Sequence, residues 1–287
     1  MTTRAPATAS SAGLLVLVAT PIGNLGDLSE RAVELLRTCD VIACEDTRRT
    51  GRLLNHLGIA GTRMLIVNEH TEHGQIEEVL RRLDAGQTVA VVSDAGTPGL
   101  SDPGERLVRA ALDAGHHVST VPGPAAAIAA IVVSGLPTGR FVFEGFLPRK
   151  GAERTARLAH VAIEPRTVVL YEAPHRLRRT LTELAAVCGG DRPVVLAREL
   201  TKLHEELWRG TLGNAVLHAT SSEPRGEYVI VLAGAPAAPP TTPAVIDEEL
   251  AAALATGLSR RDAVDHVAAI TGAGRREVYR RALESGR

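Results

Sequence analysis

The sequence predicts an α/β protein: a doubly wound parallel sheet, a second α/β domain, and a small helical appendage. Three observations carry this. The strand-like segments are short, unbroken apolar runs, the mark of a sheet covered on both faces. They alternate with segments of helical period, as repeated βα units require. The glycine- and proline-rich stretches fall directly after the apolar runs, where the carboxyl ends of strands lie and where open α/β sheets bind ligands.

Residues 1–13 are small and polar and read as a disordered tail. LLVLVA (14–19) is a strand, far too short for a membrane span or a signal-peptide core. LSERAVELLR (28–37) is an amphipathic helix with Asp27 or Ser29 placed to cap it. The alternation continues with strand 40–45, a helix ended by Gly58, strand 64–68, helix 74–85, strand 88–93, a helix from Pro103 to Asp113, and strand 117–121. The small-residue helix in 122–137 packs closely and leads out of the first domain, 14–135. Strands at 140–146, 167–172, 193–199 and 227–234, with helices at 152–161, 175–187 and 212–219, make a second domain, 136–234. Pro, Ala and Thr at 235–245 read as a linker. Residues 246–287 form the appendage, in which 258–283 read as two short helices about a Thr-Gly-Ala-Gly turn, with a capping-box pattern at Ser259 and Asp262. From Arg260 onward it carries seven arginines against four acidic residues. It reads equally as a helix-turn-helix contact to nucleic acid or as a docked helical tail or dimer contact.

The bulk properties narrow the function. The 287 residues are 45% apolar and 23% charged with a formal net charge of −1, enough for two cores and too balanced for a global nucleic-acid field. Any basic surface is therefore local. Aromatics are 2% of the chain, which argues against recognition by stacked bases. Cys39, Cys44 and Cys188 form no C-x-x-C, so a reducing, cytoplasmic setting is expected. No zinc spacing is present, and His70 and His73 lack a third ligand, so no metal is expected.

The most informative stretch is VVSDAGTPGLSDPG (91–104). Ala95, Gly96 and Gly99 bare the backbone, while Asp94, Thr97, Ser101 and Asp102 supply hydrogen-bonding groups. It is neither a dinucleotide fingerprint nor a phosphate loop, and its carboxylates disfavour a polyphosphate. A cationic or zwitterionic ligand suits it. The loops at 20–27, 44–48, 68–73 and 122–126 also follow strands and should converge on one cleft with it.

VATPIGNLGDLSERA, ACEDTRRT, VSDAGTPGLSDPG, VPGPAA, FEGFLPRKG, YEAPHR, ARELTKLHEE and GEYVIVLAG, in this order over residues 14–283, resemble the tetrapyrrole-methylase fold family, in its ribosomal-RNA-modifying branch. The resemblance implies a mostly parallel first sheet and a mixed second one, with S-adenosyl-L-methionine bound between them as methyl donor. It implies 2′-O-methylation of a decoding-region cytidine in 16S rRNA, within the small ribosomal subunit, by a homodimer. It places Pro21, Ala95, Gly96, Thr97, Leu100, Ala125, Ala126 and Tyr171 around the donor, beside Asp94 and Ser101. A porphyrinogen or precorrin C-methyltransferase on the same fold is the alternative.

A ribose hydroxyl is a weak acid, so a base or strong acceptor helps its transfer. Glu45 and Asp46, then Glu69, stand at strand ends in the donor domain and are the first candidates; His70, Glu172 and His175 are nearby. Capping or pairing with Arg48 and Arg49 is the competing role for these carboxylates. Arg149, Lys150, Arg154 and Arg157 follow one strand of the second domain, and Arg176, Arg178 and Arg179 another. Of these, Arg149, Lys150, Arg154, Arg176 and Arg179 are the leading candidates for phosphate contacts.

Overall fold

A computed structural model of the chain describes residues 13–68, 71–236 and 242–284. The expected tail, Glu69, His70 and much of the expected linker lie outside them. The chain divides into two compact units, residues 1–235 and 236–287.

The first unit opens with β1 (Leu14–Val18), β2 (Val41–Cys44), β3 (Arg63–Ile66), β4 (Thr88–Val92) and β5 (His117–Val121), in the order β3-β2-β4-β1-β5 and parallel throughout. Parallel neighbours need crossovers, supplied by α1 (Glu30–Thr38), α2 (Thr47–His56), α3 (Glu72–Asp84) and α4 (Glu105–Asp113). The apolar runs are unbroken because both faces are covered. Val16, Val18, Ile42, Ala90 and Val92 pack on one side with Leu36 and Leu54. Leu15, Ala43, Val89 and Val91 pack on the other with Val79, Leu83 and Leu107. All five carboxyl ends therefore meet at one sheet edge.

Next come α5 (Ala126–Ser134), β6 (Phe141–Phe146), α6 (Gly151–Ile163), β7 (Thr167–Glu172), α7 (Pro174–Cys188), β8 (Pro193–Arg198), β9 (Glu206–Thr211), α8 (Leu212–Ser221) and β10 (Tyr228–Leu232). The second sheet runs β6-β7-β10-β8-β9. β6 and β7 are parallel and the other pairs antiparallel. One face packs with Leu158, Leu177, Leu181 and Leu212. The other takes Ala127, Ala130 and Ile131 of α5, whose small side chains suit close packing.

Three local readings change. β9 stands where the sequence offers no apolar run: it is an edge strand, and its residues are exposed or half-buried. The helix expected from Pro103 starts at Glu105, because the Glu72 carboxylate accepts the N–H groups of Gly104, Arg106 and Leu107 at 3.0–3.2 Å and so caps it from another helix.

The third change is in the second unit, whose described residues place a further helix, α9 (Pro243–Ala255), ahead of the two expected ones, α10 (Arg260–Thr271) and α11 (Arg275–Glu284). Thr242 and Pro243, read as linker, are a cap and first-turn proline: the Thr242 hydroxyl accepts from Val245 N. Ile246, Leu250, Val264, Val267 and Val278 form the unit's own core. Among the described residues no helix is long and apolar enough to cross a membrane.

Candidate active site

A cavity of about 600 Å³ lies between the carboxyl edge of the first sheet and the second sheet. The turn after β4 forms its floor. Gly96 makes a two-way backbone bridge to Thr20 after β1, at 2.9 and 3.1 Å. The Thr97 hydroxyl donates to Pro124 O at 3.0 Å, after β5. The turn is thus pinned to both neighbouring loops. Gly96 has φ +87°, and a Cβ there would sit 3.1 Å from Ile22 Cγ2; only glycine fits without strain. Asp94, Ala95, Gly96, Thr97 and Leu100 line the cavity, as do Ala125 and Ala126 at the start of α5.

Tyr171, at the end of β7, closes the far wall. Its hydroxyl accepts from Ala127 N at 3.1 Å, and its ring meets Phe143 and Phe146 edge-on, with centroids 5.0 and 5.6 Å apart. The aromatic cluster fixes the tyrosine, whose hydroxyl ties the second sheet to the start of α5. Pro21 and Ser101 fall elsewhere. Pro21 lines a neighbouring recess. Ser101, at φ +64°, is exposed and turns toward Gly145 of β6.

The carboxylates sort by environment. Glu45 lines the cavity, and its oxygen accepts from Asp94 N at 3.4 Å; burial first, then Asp94, raises its pKa. Asp94 accepts from Asp46 N at 3.2 Å and pairs with Arg49 at 3.3 Å. Burial raises its pKa, and Arg49 opposes the rise. Asp102 also lines the cavity. It is pushed up to about 7 by burial, then by Glu45 and Asp94, against a hydrogen bond from Ser93.

Asp46 has the opposite character. It caps α2, accepts from Arg48 N at 2.8 Å and pairs with the Arg48 guanidinium, which holds it down at about 2. So firmly ionised a group is a poor proton acceptor, and it does not line the cavity. Glu172 does, but its oxygens are taken by Ala173 N, Thr180 and Arg176. Among the described residues no group of three His, Cys, Asp or Glu side chains is placed to hold a metal ion.

The basic residues of the second sheet's helices divide in the same way. Arg154 is 3% exposed and spends its guanidinium on Glu183, Pro148 O and Thr180. Arg176 is held by Glu172 and Leu147 O. Arg179 pairs with Glu183 and donates to Arg149 O, and Arg157 pairs with Glu144. Arg154 is therefore an internal tie, and Arg176 is part-buried with its guanidinium engaged; sequence shows their charge but not their partners. Arg149 and Lys150 remain exposed, three and four residues past Phe146 of the cavity wall.

Two residues that the sequence reading did not single out also shape the site. Lys202 stands at the cavity mouth, its amine between Glu199 at 2.9 Å and Glu227 at 2.7 Å. Its loop carries Glu199 and Thr201 at φ +50° and +64°, and Asn24 N donates to Thr201 Oγ1 at 3.1 Å. Gly23 leaves no room for a Cβ against Lys202. Tyr228, on β10, completes the rim.

The family model for Tetrapyrrole (Corrin/Porphyrin) Methylases matches residues 14–216, and that for the RsmI C-terminal HTH domain matches residues 241–286. The chain is 50% identical over 276 residues to the ribosomal RNA small subunit methyltransferase I of Synechocystis sp., covering 95% of this chain and 98% of that protein. It is 48% identical over 272 residues to the protein of the same name from Xylella fastidiosa, covering 94% and 99%. Its fold is shared with the Thermus thermophilus uroporphyrin-III C-methyl transferase complexed with S-adenyl homocysteine, at a TM-score of 0.54 and 21% identity, over 77% of this chain and 96% of that one. The chain belongs to the tetrapyrrole methylase family and, within it, to the ribosomal RNA small subunit methyltransferases I.

Proposed function

We propose that this chain transfers a methyl group from S-adenosyl-L-methionine to the ribose 2′-hydroxyl of a decoding-region cytidine in 16S rRNA, as a cytoplasmic homodimer. The observation that carries it is the cavity floor: a bare, pinned backbone turn ringed by Glu45, Asp94 and Asp102. Such a floor suits a cationic donor beside a neutral, weakly acidic acceptor. The names of the relatives supply the acceptor class.

Bound S-adenosyl-L-methionine supplies an electrophilic methyl on a positively charged sulfur. Around it, the Asp94–Thr97 turn offers backbone groups and the space left by Gly96, Tyr171 and Leu100 wall off water, and the carboxylates complement positive charge. Asp102 is the best-placed proton acceptor. Unlike Asp94 it has no cation paired with it among the described residues, and its pKa of about 7 is matched to general-base work near neutrality. The Asp102 carboxylate would accept the hydroxyl proton of the acceptor, and burial, with Glu45 next, keeps its proton affinity high.

Labelled methyl transfer to unmethylated 30S subunits, free 16S rRNA and uroporphyrinogen, with the nucleotide mapped, tests the assignment. Label on one decoding-region 2′-oxygen is expected; label in the porphyrinogen alone overturns it. Asp102→Asn should lower kcat on the order of 10²–10⁴-fold and abolish the acidic limb of the rate profile. In the wild type, activity falls as pH drops through that limb, because the base must be ionised. Gly96→Val adds backbone strain of about 1–3 kcal/mol and fills the turn, so calorimetric donor affinity should fall at least about tenfold.

A further inference from the structure

We propose that the recess beside the donor cavity is a phosphate site for the acceptor strand. Arg52, flanked by Arg49 and Lys202, holds a backbone phosphate next to the nucleotide being methylated. This rests on the RNA-methylating function proposed above.

The recess has a volume of about 450 Å³. It is continuous with the donor cavity: Arg49, Asp94, Lys202 and Glu227 line both. One wall is a single face of α2. Arg49, Arg52 and His56 stand at i, i+3 and i+7 and all line the recess. The opposite wall, formed by Pro21, Gly23 and Leu25 after β1, carries no charge.

Partner accounting separates these cations. Arg49 shares Asp94, and Lys202 is held by Glu199 and Glu227. Arg52 is exposed and carries no ion pair or hydrogen bond from its side chain among the described residues. Of the charged side chains that line the recess, Arg49, Arg52 and Lys202 stand against Asp94 and Glu227, and both carboxylates are already paired. An anion entering there meets a net positive wall with one uncommitted guanidinium, a group suited to bidentate phosphate binding.

The charge partition fits a nucleic-acid strand. Glu45, Asp94 and Asp102 make the inner cavity hostile to phosphate, yet the reacting group of a nucleotide is a neutral hydroxyl. A strand can deliver that hydroxyl only if its phosphates are held away from Glu45 and Asp102, which line the cavity but not the recess; of the three carboxylates only Asp94 reaches the recess, and it is paired with Arg49. Of the five basic residues that the sequence suggests for this task, Arg154, Arg176 and Arg179 have partners within the fold, and Arg149 and Lys150 are exposed but line neither the cavity nor the recess.

The test measures methyl transfer to unmethylated 30S subunits, between about 50 and 200 mM salt, by the full-length wild type, Arg52→Gln and Arg52→Lys. One lost phosphate contact should reduce the slope of log affinity against log salt by roughly 0.7–0.9. In Arg52→Gln, KM for subunits should rise several-fold at low salt, while kcat and donor affinity hold; Arg52→Lys should keep most of the slope. Arg109→Gln, on the exposed surface of α4, controls for net charge. An unchanged slope and KM in Arg52→Gln, or an equal change in Arg109→Gln, overturns the site. Absence of wild-type transfer to any RNA overturns the function proposed above instead. The same salt series, read by anisotropy with a labelled single-stranded RNA, then decides the recess: a slope difference between wild type and Arg52→Gln keeps the phosphate site, and none removes it.

Discussion

Two charged regions stand side by side in this protein and are built on opposite rules. Between α6 and α7, Arg154, Glu172, Arg176, Thr180 and Glu183 form a network in which each charge meets an opposite charge or a hydrogen-bonding partner. Across the cavity, Glu45, Asp94 and Asp102 are part-buried with one paired cation, Arg49, among them. A satisfied buried network fixes a structure. A set of like charges short of counter-ions raises its own proton affinity and awaits a ligand. Glu172 joins the two regions: it lines the cavity, yet belongs to the network by its partners.

The largest effect expected from this contrast is on stability. Arg154→Ala removes the buried donor that Thr180, Pro148 O and Glu183 share, although Glu183 keeps Arg179, and should cost about 1–3 kcal/mol, seen as a lower denaturant midpoint. The donor affinity of the protein that remains folded should be unchanged. A loss of donor affinity at constant stability would mean that the network acts on the cavity and that the two regions are one.

Asp102→Asn should do the reverse, losing activity without losing the fold. Its linkage to pH sharpens the point. The Asp102 pKa rises from 3.8 unfolded to about 7 folded. The folded state therefore binds more protons between these values, and the contribution to stability is present below about pH 4 and is lost as pH rises through about 7. The asparagine variant should lose that part of the decline and be relatively more stable above neutrality. Parallel stability–pH curves for the two proteins would remove Asp102 from the under-paired set.

The contrast also explains what sequence could convey. Strand and helix order was legible because parallel strands covered on both faces must be unbroken apolar runs, as Leu14–Val18 and Thr88–Val92 are. The cavity floor was legible because Gly96 sits at the end of one of them. β9 was hidden because an edge strand carries no such run, and α9 because Thr242–Pro243 reads as linker until its cap bond is seen. Which arginine is spent and which is open depends on partners about thirty residues away in sequence, as Arg154 and Glu183 are. Asp102 was visible as a polar residue of the turn. Its place against Glu45 arises only when glycines at positive φ, Gly96 and Gly99, fold the turn back.

The smallest effect tests the boundary between the regions. Arg49→Gln removes the cation paired with Asp94 from a side chain that is 60% exposed. An exposed pair of this kind contributes about 0–1 kcal/mol, so the stability change should be at the edge of detection. The electrostatic consequence should be larger than the energetic one. Arg49 opposes the burial that raises Asp94, so its loss should raise the Asp94 pKa further and shift carboxyl titration in the cavity, followed by NMR of labelled aspartate. An unmoved Asp94 would mean that solvent, not Arg49, sets its charge, and that the cavity floor is better screened than its burial implies.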